Sequence, residues 1–213
     1  MALSREHIVD AAMTILRSYG LASLSMRNLA KNLGVQPGAL YWHVKSKQDL
    51  LVLLADRILA TTPAWTDQVG ARSDRADARQ AALDIRTALT SVKDGAEVVS
   101  VAQALNPRQL APLQRLRDTL PSNLTLRQAE WGARALTHYI LGAVAEEQTH
   151  AELILAGVAA SEESTAYTTE AFIFGVDAFL RGLGAAASAP CTVIDLATED
   201  QRAVPRKQLH ADS

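Results

Sequence analysis

The sequence predicts an all-α protein, on three observations. It is rich in alanine and leucine, being 48 % hydrophobic but only 5 % aromatic, which favours helices over sheets. Apolar residues recur at spacings of three and four, whereas runs alternating with the strand period are scarce. Gly20, Gly34, Pro63, Gly95, Pro107 and Pro121 close these periodic segments one after another. The 213 residues suit one or two domains and are ample for a buried core.

The first helix is predicted from Arg5 to Tyr19, capped by Ser4, with Ile8, Ala11, Ala12, Ile15 and Leu16 as its apolar stripe. Leu21 and Leu24 pack beneath the two short helices of residues 26–43. Met26 to Leu33 forms the first of these, with Ser25 as N-cap, and Gly34 supplies the positive φ at which it stops. Pro37 to His43 is the second, with Pro37 in a first-turn position that needs no N–H. Two helices joined by a tight glycine turn form a helix-turn-helix candidate. Ser46 and Asp49 open the next helix as a variant capping box. Its Leu50, Leu51, Leu53, Leu54, Ile58 and Leu59 run to Thr61 or Thr62, where Pro63 forces the stop.

Residues 64–78 are polar and charged without a strong period, and read as a mobile loop or a partly helical one. Helices are expected over 79–92, 96–105 and 110–120. The longest runs from Thr125 to Thr149, with Leu126, Ala129, Ala133, Leu136, Ile140 and Ala143 near an a/d seam and Leu141 and Val144 beside Thr137 on a second stripe. A helix apolar on two sides packs on two sides. Trp65 and Trp131 read as packing residues. Residues 157–165 read as a loop. The last helix spans 168–183, with Phe172, Val176, Phe179 and Leu183 on one stripe. The chain thus divides into residues 1–47, residues 48–184 and a flexible tail, 185–213.

Net charge is −2, but its distribution is uneven. Residues 1–48 hold six basic and two acidic side chains, a net +4; the other 15 basic and 21 acidic side chains leave −6. A basic head on an acidic body is the asymmetry of a DNA-binding module joined to a different one. Cys191 is the single cysteine, so no intrachain disulfide forms. The chain opens on polar residues, not a signal sequence, and no apolar run approaches the ~20 residues of a membrane span. A soluble, cytoplasmic protein with no membrane contact is expected.

The run Leu40-Tyr41-Trp42-His43-Val44-Lys45-Ser46-Lys47, with the helices around it, resembles the TetR family of bacterial transcription regulators over residues 4–60. Lys93-Asp94-Gly95-Ala96, Thr137-His138-Tyr139-Ile140-Leu141-Gly142-Ala143-Val144, Glu146-Glu147-Gln148 and Phe179-Leu180-Arg181-Gly182 resemble landmarks of the regulatory body in the family's tetracycline-responsive type. The resemblance implies an all-α homodimer: an N-terminal three-helix head on a C-terminal helical body for ligand binding and dimerisation. The dimer would form through the helices near 125–149 and 168–183. Its partners would be a palindromic double-stranded DNA operator and a small-molecule effector, with no cofactor.

On such a head the short reading helix enters the major groove. Arg27 reaches guanine, Gln36 reaches adenine or other base edges, and Pro37, Ala39 and Tyr41 pack on thymine methyls. Tyr41, Trp42, His43, Lys47 and the hydroxyls of Ser25 and Ser46 grip phosphate. Leu40 and Val44 read as core, and Trp42 suits either role. Gly38 and Ala39 have almost no reach, so specificity leans on Arg27, Gln36 and half-site spacing.

The body departs from the tetracycline-responsive pattern. Positions where that type places drug- and metal-binding histidines correspond to Pro63 and Val99, and its asparagine, phenylalanine and threonine fall near Ala81, Ile85 and Ala102. Thr137, His138 and Glu146 remain. Magnesium needs an octahedral set of oxygens, which one glutamate does not supply, so no metal site is expected. Ile85, Val99, Ala102, Leu113, Leu116, Thr137, His138, Leu141 and Glu146 are the candidate effector residues, around a ligand more apolar than a chelate. His138 and Glu146, eight positions apart, fall within about 80° on a helix. A repressor released by its effector is the expected function; an orphan regulator without one, or an activator, is the alternative. No nucleophile elbow, phosphate loop or metal-ligand spacing points to an enzyme.

Overall fold

The structure, a computed structural model, describes residues 3–62, 75–106, 110–159 and 165–186. Within them every long element is a helix: α1 (Arg5–Tyr19), α2 (Met26–Leu33), α3 (Pro37–Tyr41), α4 (Lys47–Leu59), α5 (Arg75–Thr90), α6 (Gly95–Leu105), α7 (Ala111–Asp118), α8 (Leu126–Leu155) and α9 (Thr165–Ala186). A single 3-10 turn, Leu21–Ser23, follows α1.

Capping residues set the head's short helices. Ser4 Oγ accepts from the His7 amide, Ser25 Oγ from Asn28 and Ser46 Oγ from Asp49, at 3.2, 3.1 and 3.0 Å. Gly34 adopts φ 66°, ψ 29°, and the Val35 amide bonds back to the Ala30 carbonyl at 3.0 Å, a Schellman ending for α2. Ile8, Leu16, Leu24, Leu29, Leu40 and Val44 form the head's sealed core. Helix α4 packs on α1 and most extensively on α6. It carries buried leucines to both, which is why neither head nor body closes its core without it. Arg57 on α4 meets Asp10 of α1 at 3.0 Å, a half-exposed pair that contributes under about 1 kcal/mol.

In the body, α8 packs against α5, α6, α7 and α9. The Arg86 guanidinium of α5 makes a bidentate pair with Glu147 of α8, at 2.8 and 3.1 Å, under the Phe172 ring of α9. Tyr139 Oη donates to the Phe172 carbonyl at 3.1 Å, and its ring lies against Gly175, where a side chain would collide with it. Gln148 of α8 grips the α5–α6 turn: Nε2 donates to the carbonyls of Leu89 (3.2 Å) and Val92 (2.8 Å), and Oε1 accepts from the Ala96 amide (3.2 Å).

Several expectations change. Helix α5 begins at Arg75, so residues 75–78 take the helical alternative and the expected start at Arg79 moves four residues earlier; buried Ala78 starts its stripe, and a lone alanine among charges gives little periodic signal. Helix α8 continues six residues past Thr149; its buried stripe ends at Val144, and Leu153 and Leu155 in the extension are exposed. Helix α9 spans Thr165–Ala186, longer at both ends than expected. Leu126 is 82 % exposed and Trp131 half exposed, so neither is core; both stand on the first turns of α8, where the Arg127 guanidinium lies 5.8 Å from the Trp131 ring centre. On α9 the buried set is Phe172, Val176 and Leu180, with Phe179 and Leu183 half-buried. Pro63, Trp65, residues 64–74 and the expected tail from 187 onward lie outside the described residues.

Burial pushes the Asp56 carboxyl of α4 above its ordinary range. Its protonated form is thus favoured in the folded chain. That contribution is fully present below the unfolded value of about 3.9 and is lost as pH rises through the folded value. Asp56→Asn is therefore expected to raise the melting temperature at pH 7 and leave it nearly unchanged at pH 3, by thermal denaturation at both.

Candidate nucleic-acid interface and effector groove

The head's candidate contact residues lie at or near its surface. Pro37 fixes the entry of α3, and buried Leu40 and Val44 hold that helix by its rear. Opposite them, Ser25, Arg27, Gln36, Pro37, Tyr41 and Trp42 are exposed, and Ala39, His43 and Lys47 are half-buried beside them. Trp42 is 90 % exposed, so it belongs to the outer face and not to the head's core. Large exposed aromatics beside Arg27, Lys31, Lys45 and Lys47 suit a polyanion with apolar groove features. Ser25 uses a lone pair to cap α2, but its hydroxyl proton remains a donor candidate.

The head is also pinned to the body. The Leu21 amide donates to Asp94 Oδ2 at 2.6 Å, 73 residues away in sequence. Asp94 has a left-handed φ of 56°, and Gly20 beside Leu21 has φ 76°. The Asp94-Gly95 break is legible in the sequence, but this bond is not, because no local pattern encodes it.

A groove of about 1060 Å³ opens between α6, α7 and α8. Leu113, Thr137, His138 and Leu141 line it, together with Ala133. Ile85, Val99, Ala102 and Leu116 do not: they are fully buried in the core behind it. Glu146 is exposed and off the groove, so the structure does not bring it together there with His138. The groove also holds Gln103, Gln114, Arg117, Glu130 and Arg134, none of which stands out in the sequence. Their signal was only that of charged residues on helix faces, the usual pattern of a solvated surface. Among the described residues no group of three or more His, Cys, Asp or Glu side chains is placed to hold a metal ion. No described helix is long and apolar enough to cross a membrane.

Comparison with known proteins is consistent along the chain. The family model for bacterial regulatory proteins of the tetR family matches residues 8–54. The class D tetracycline repressor protein of Escherichia coli is 31 % identical over 194 residues, covering 84 % of this chain and 88 % of that protein. Among solved structures, BioQ of Mycobacterium smegmatis superposes with a TM-score of 0.77 at 33 % identity, over 86 % of this chain and 99 % of that one. A structure of a BioQ with its double-stranded DNA operator also matches (TM-score 0.69, 31 % identity, 86 % and 99 % covered). A TetR variant of Acinetobacter baumannii AYE in complex with minocycline matches at TM-score 0.68 and 30 % identity, over 88 % of this chain and all of the other.

Proposed function

The chain belongs to the TetR family of DNA-binding transcription regulators, and from that premise we propose that it is a homodimeric repressor released from a palindromic operator by a small molecule bound in the α6–α7–α8 groove. The exposed face built by Arg27, Gln36, Pro37, Tyr41 and Trp42 over a sealed core is the observation that carries the operator half of this reading. Arg27 contacts guanine, Gln36 a base edge, and Ser25, Trp42, His43 and Lys47 phosphate. Ala39 and Pro37 lie against thymine methyls. BioQ solved with its operator supports this reading.

The groove's lining sets the effector's chemistry. Leu113, Leu141 and Ala133 offer apolar surface, while Arg117, Glu130, Arg134 and His138 bring charge and hydrogen-bonding groups. An amphipathic molecule suits it better than the largely apolar one expected from sequence, because the interior apolar positions are already filled by their own packing. That same packing of Ile85, Val99, Ala102 and Leu116 favours a second reading, a regulator without an effector. A thermal-shift screen of amphipathic compounds, scored afterwards for release of operator, separates the two: no compound that both stabilises and releases would leave the second standing.

Two identical heads must meet successive major grooves, about 34–36 Å apart. An effector that prefers a body with a different head spacing weakens binding through a coupling of about 1–3 kcal/mol. Arg27→Ala is expected to cost roughly 1–3 kcal/mol on the specific site and relax base preference there, whereas Lys47→Ala weakens all duplexes alike and lowers the salt slope by about one. Gel-shift titrations on matched and scrambled sites check both; unchanged base preference in Arg27→Ala would remove its base-reading role.

A further inference from the structure

The DNA-binding head and helix α8, which lines the groove, both contact one short turn, the α5–α6 connection. Leu21 stands where the head leaves α1, and its amide bond to Asp94 Oδ2, at 2.6 Å, is the closest polar link between head and body among the described residues. Gly20 leaves the room that the carboxylate occupies: a Cβ on Gly20 would lie 2.6 Å from Asp94 Oδ2 and 3.2 Å from Lys93 Cε. Asp94 holds a φ of 56°, a conformation side-chain-bearing residues seldom adopt unless neighbours impose it. Those neighbours come from α8. Gln148 satisfies three backbone groups around the turn, the carbonyls of Leu89 and Val92 and the amide of Ala96. Lys93 Nζ meets Glu152 Oε1 at 3.2 Å. N-terminal to Gln148 the same helix lines the groove with His138, Leu141 and Gly142, and with Ala145.

We propose that Gln148 is a positioning residue for DNA binding: by holding the α5–α6 turn it fixes Asp94 against the Leu21 amide and so sets the tilt of the head. A displacement of α8 is then delivered to the head at this turn as well as along α4. The proposal rests on the reading that the body governs how the head sits on its operator.

The test uses the full chain. Hydrogen exchange at the Leu21 amide is followed by NMR without DNA or effector, and affinity is measured for a duplex that the wild type enriches from a random pool. Asp94→Ala should abolish protection at Leu21, and Gln148→Met should raise exchange there about tenfold while the Gly20 amide, bonded to the Leu16 carbonyl within α1, keeps its rate. Gln148→Met should also lower operator affinity about tenfold, as for one lost charge-assisted hydrogen bond, with an unchanged salt slope because no phosphate contact is removed. The double variant should bind no more weakly than Asp94→Ala alone, since both act through one contact. Unchanged protection at Leu21 in Gln148→Met overturns the proposal. So does equal acceleration at Gly20 and Leu21, which marks general loosening, and so does deprotected Leu21 with wild-type operator affinity. A wild type that enriched no duplex would instead overturn the operator reading, and Leu21 exchange would still decide the junction.

Discussion

On the proposed homodimer, Phe174→Glu is expected to give monomers and to lower operator affinity by about a hundredfold or more, the avidity lost when two linked sites become one. Phe174 is 70 % exposed, while Phe172, Val176 and Leu180 on the other side of α9 are buried. Along the outer side stand Ala171, Phe174, Ala178, Gly182 and Ala185, at spacings of three and four. Among the described residues, nothing outside the helix's own backbone lies within 4 Å of the place a Cβ would take on Gly142 of α8 or Gly182 of α9, so another helix can approach closely at both. Covering Phe174 is worth about 1.5–3 kcal/mol per copy. In a two-fold interface the same surface serves both copies, so the substitution would place two unpaired glutamates in the interface, one from each subunit. Light scattering after gel filtration reads the oligomeric state, and gel shift reads the affinity. Helicity should stay at the wild-type level, because Phe174 is exposed within its own subunit. A dimeric Phe174→Glu with full affinity would place the interface elsewhere.

Gly95→Ala is expected to destabilise the fold by about 1–3 kcal/mol, the usual cost of forcing atoms into a packed site. Helix propensity alone predicts the opposite, since alanine is favoured over glycine in a helix by about 1 kcal/mol. The contact decides the sign: a Cβ on Gly95 would fall on the Leu89 carbonyl oxygen, a backbone atom. That oxygen cannot step aside without unseating the end of α5 and the Gln148 bonds that hold it. Thermal denaturation should show a melting temperature lowered by several degrees, at about 2–4 °C per kcal/mol for a chain of this size. A higher melting temperature would show that the turn relaxes freely.

The head was nearly all legible in the sequence. Ser25, Gly34, Pro37 and Ser46 act within four residues of themselves, through a cap, a left-handed turn or a fixed φ, so their types reveal their geometry. The body was legible as helices but less so as surfaces. Ala78 near the start of α5 looks unremarkable among charges. Leu126 and Trp131 look like core and are exposed, because burial depends on whether another helix arrives. The groove's polar residues, Gln103, Arg117 and Arg134 among them, carry no pattern that separates them from a solvated face.

By itself the sequence determined an all-α chain and a basic helix-turn-helix head with its caps, because local hydrogen bonding and periodicity are written in neighbouring residues; its motifs added a resemblance to a regulator family. Only the tertiary structure decided that Val99 and Ala102 are packed interior and not groove. It alone decided that Trp42 faces outward, and that Leu21, Asp94 and Gln148 join head to body. The Leu21 and Gln148 bonds join residues 73 and 56 positions apart, and no local rule specifies which distant surfaces will meet.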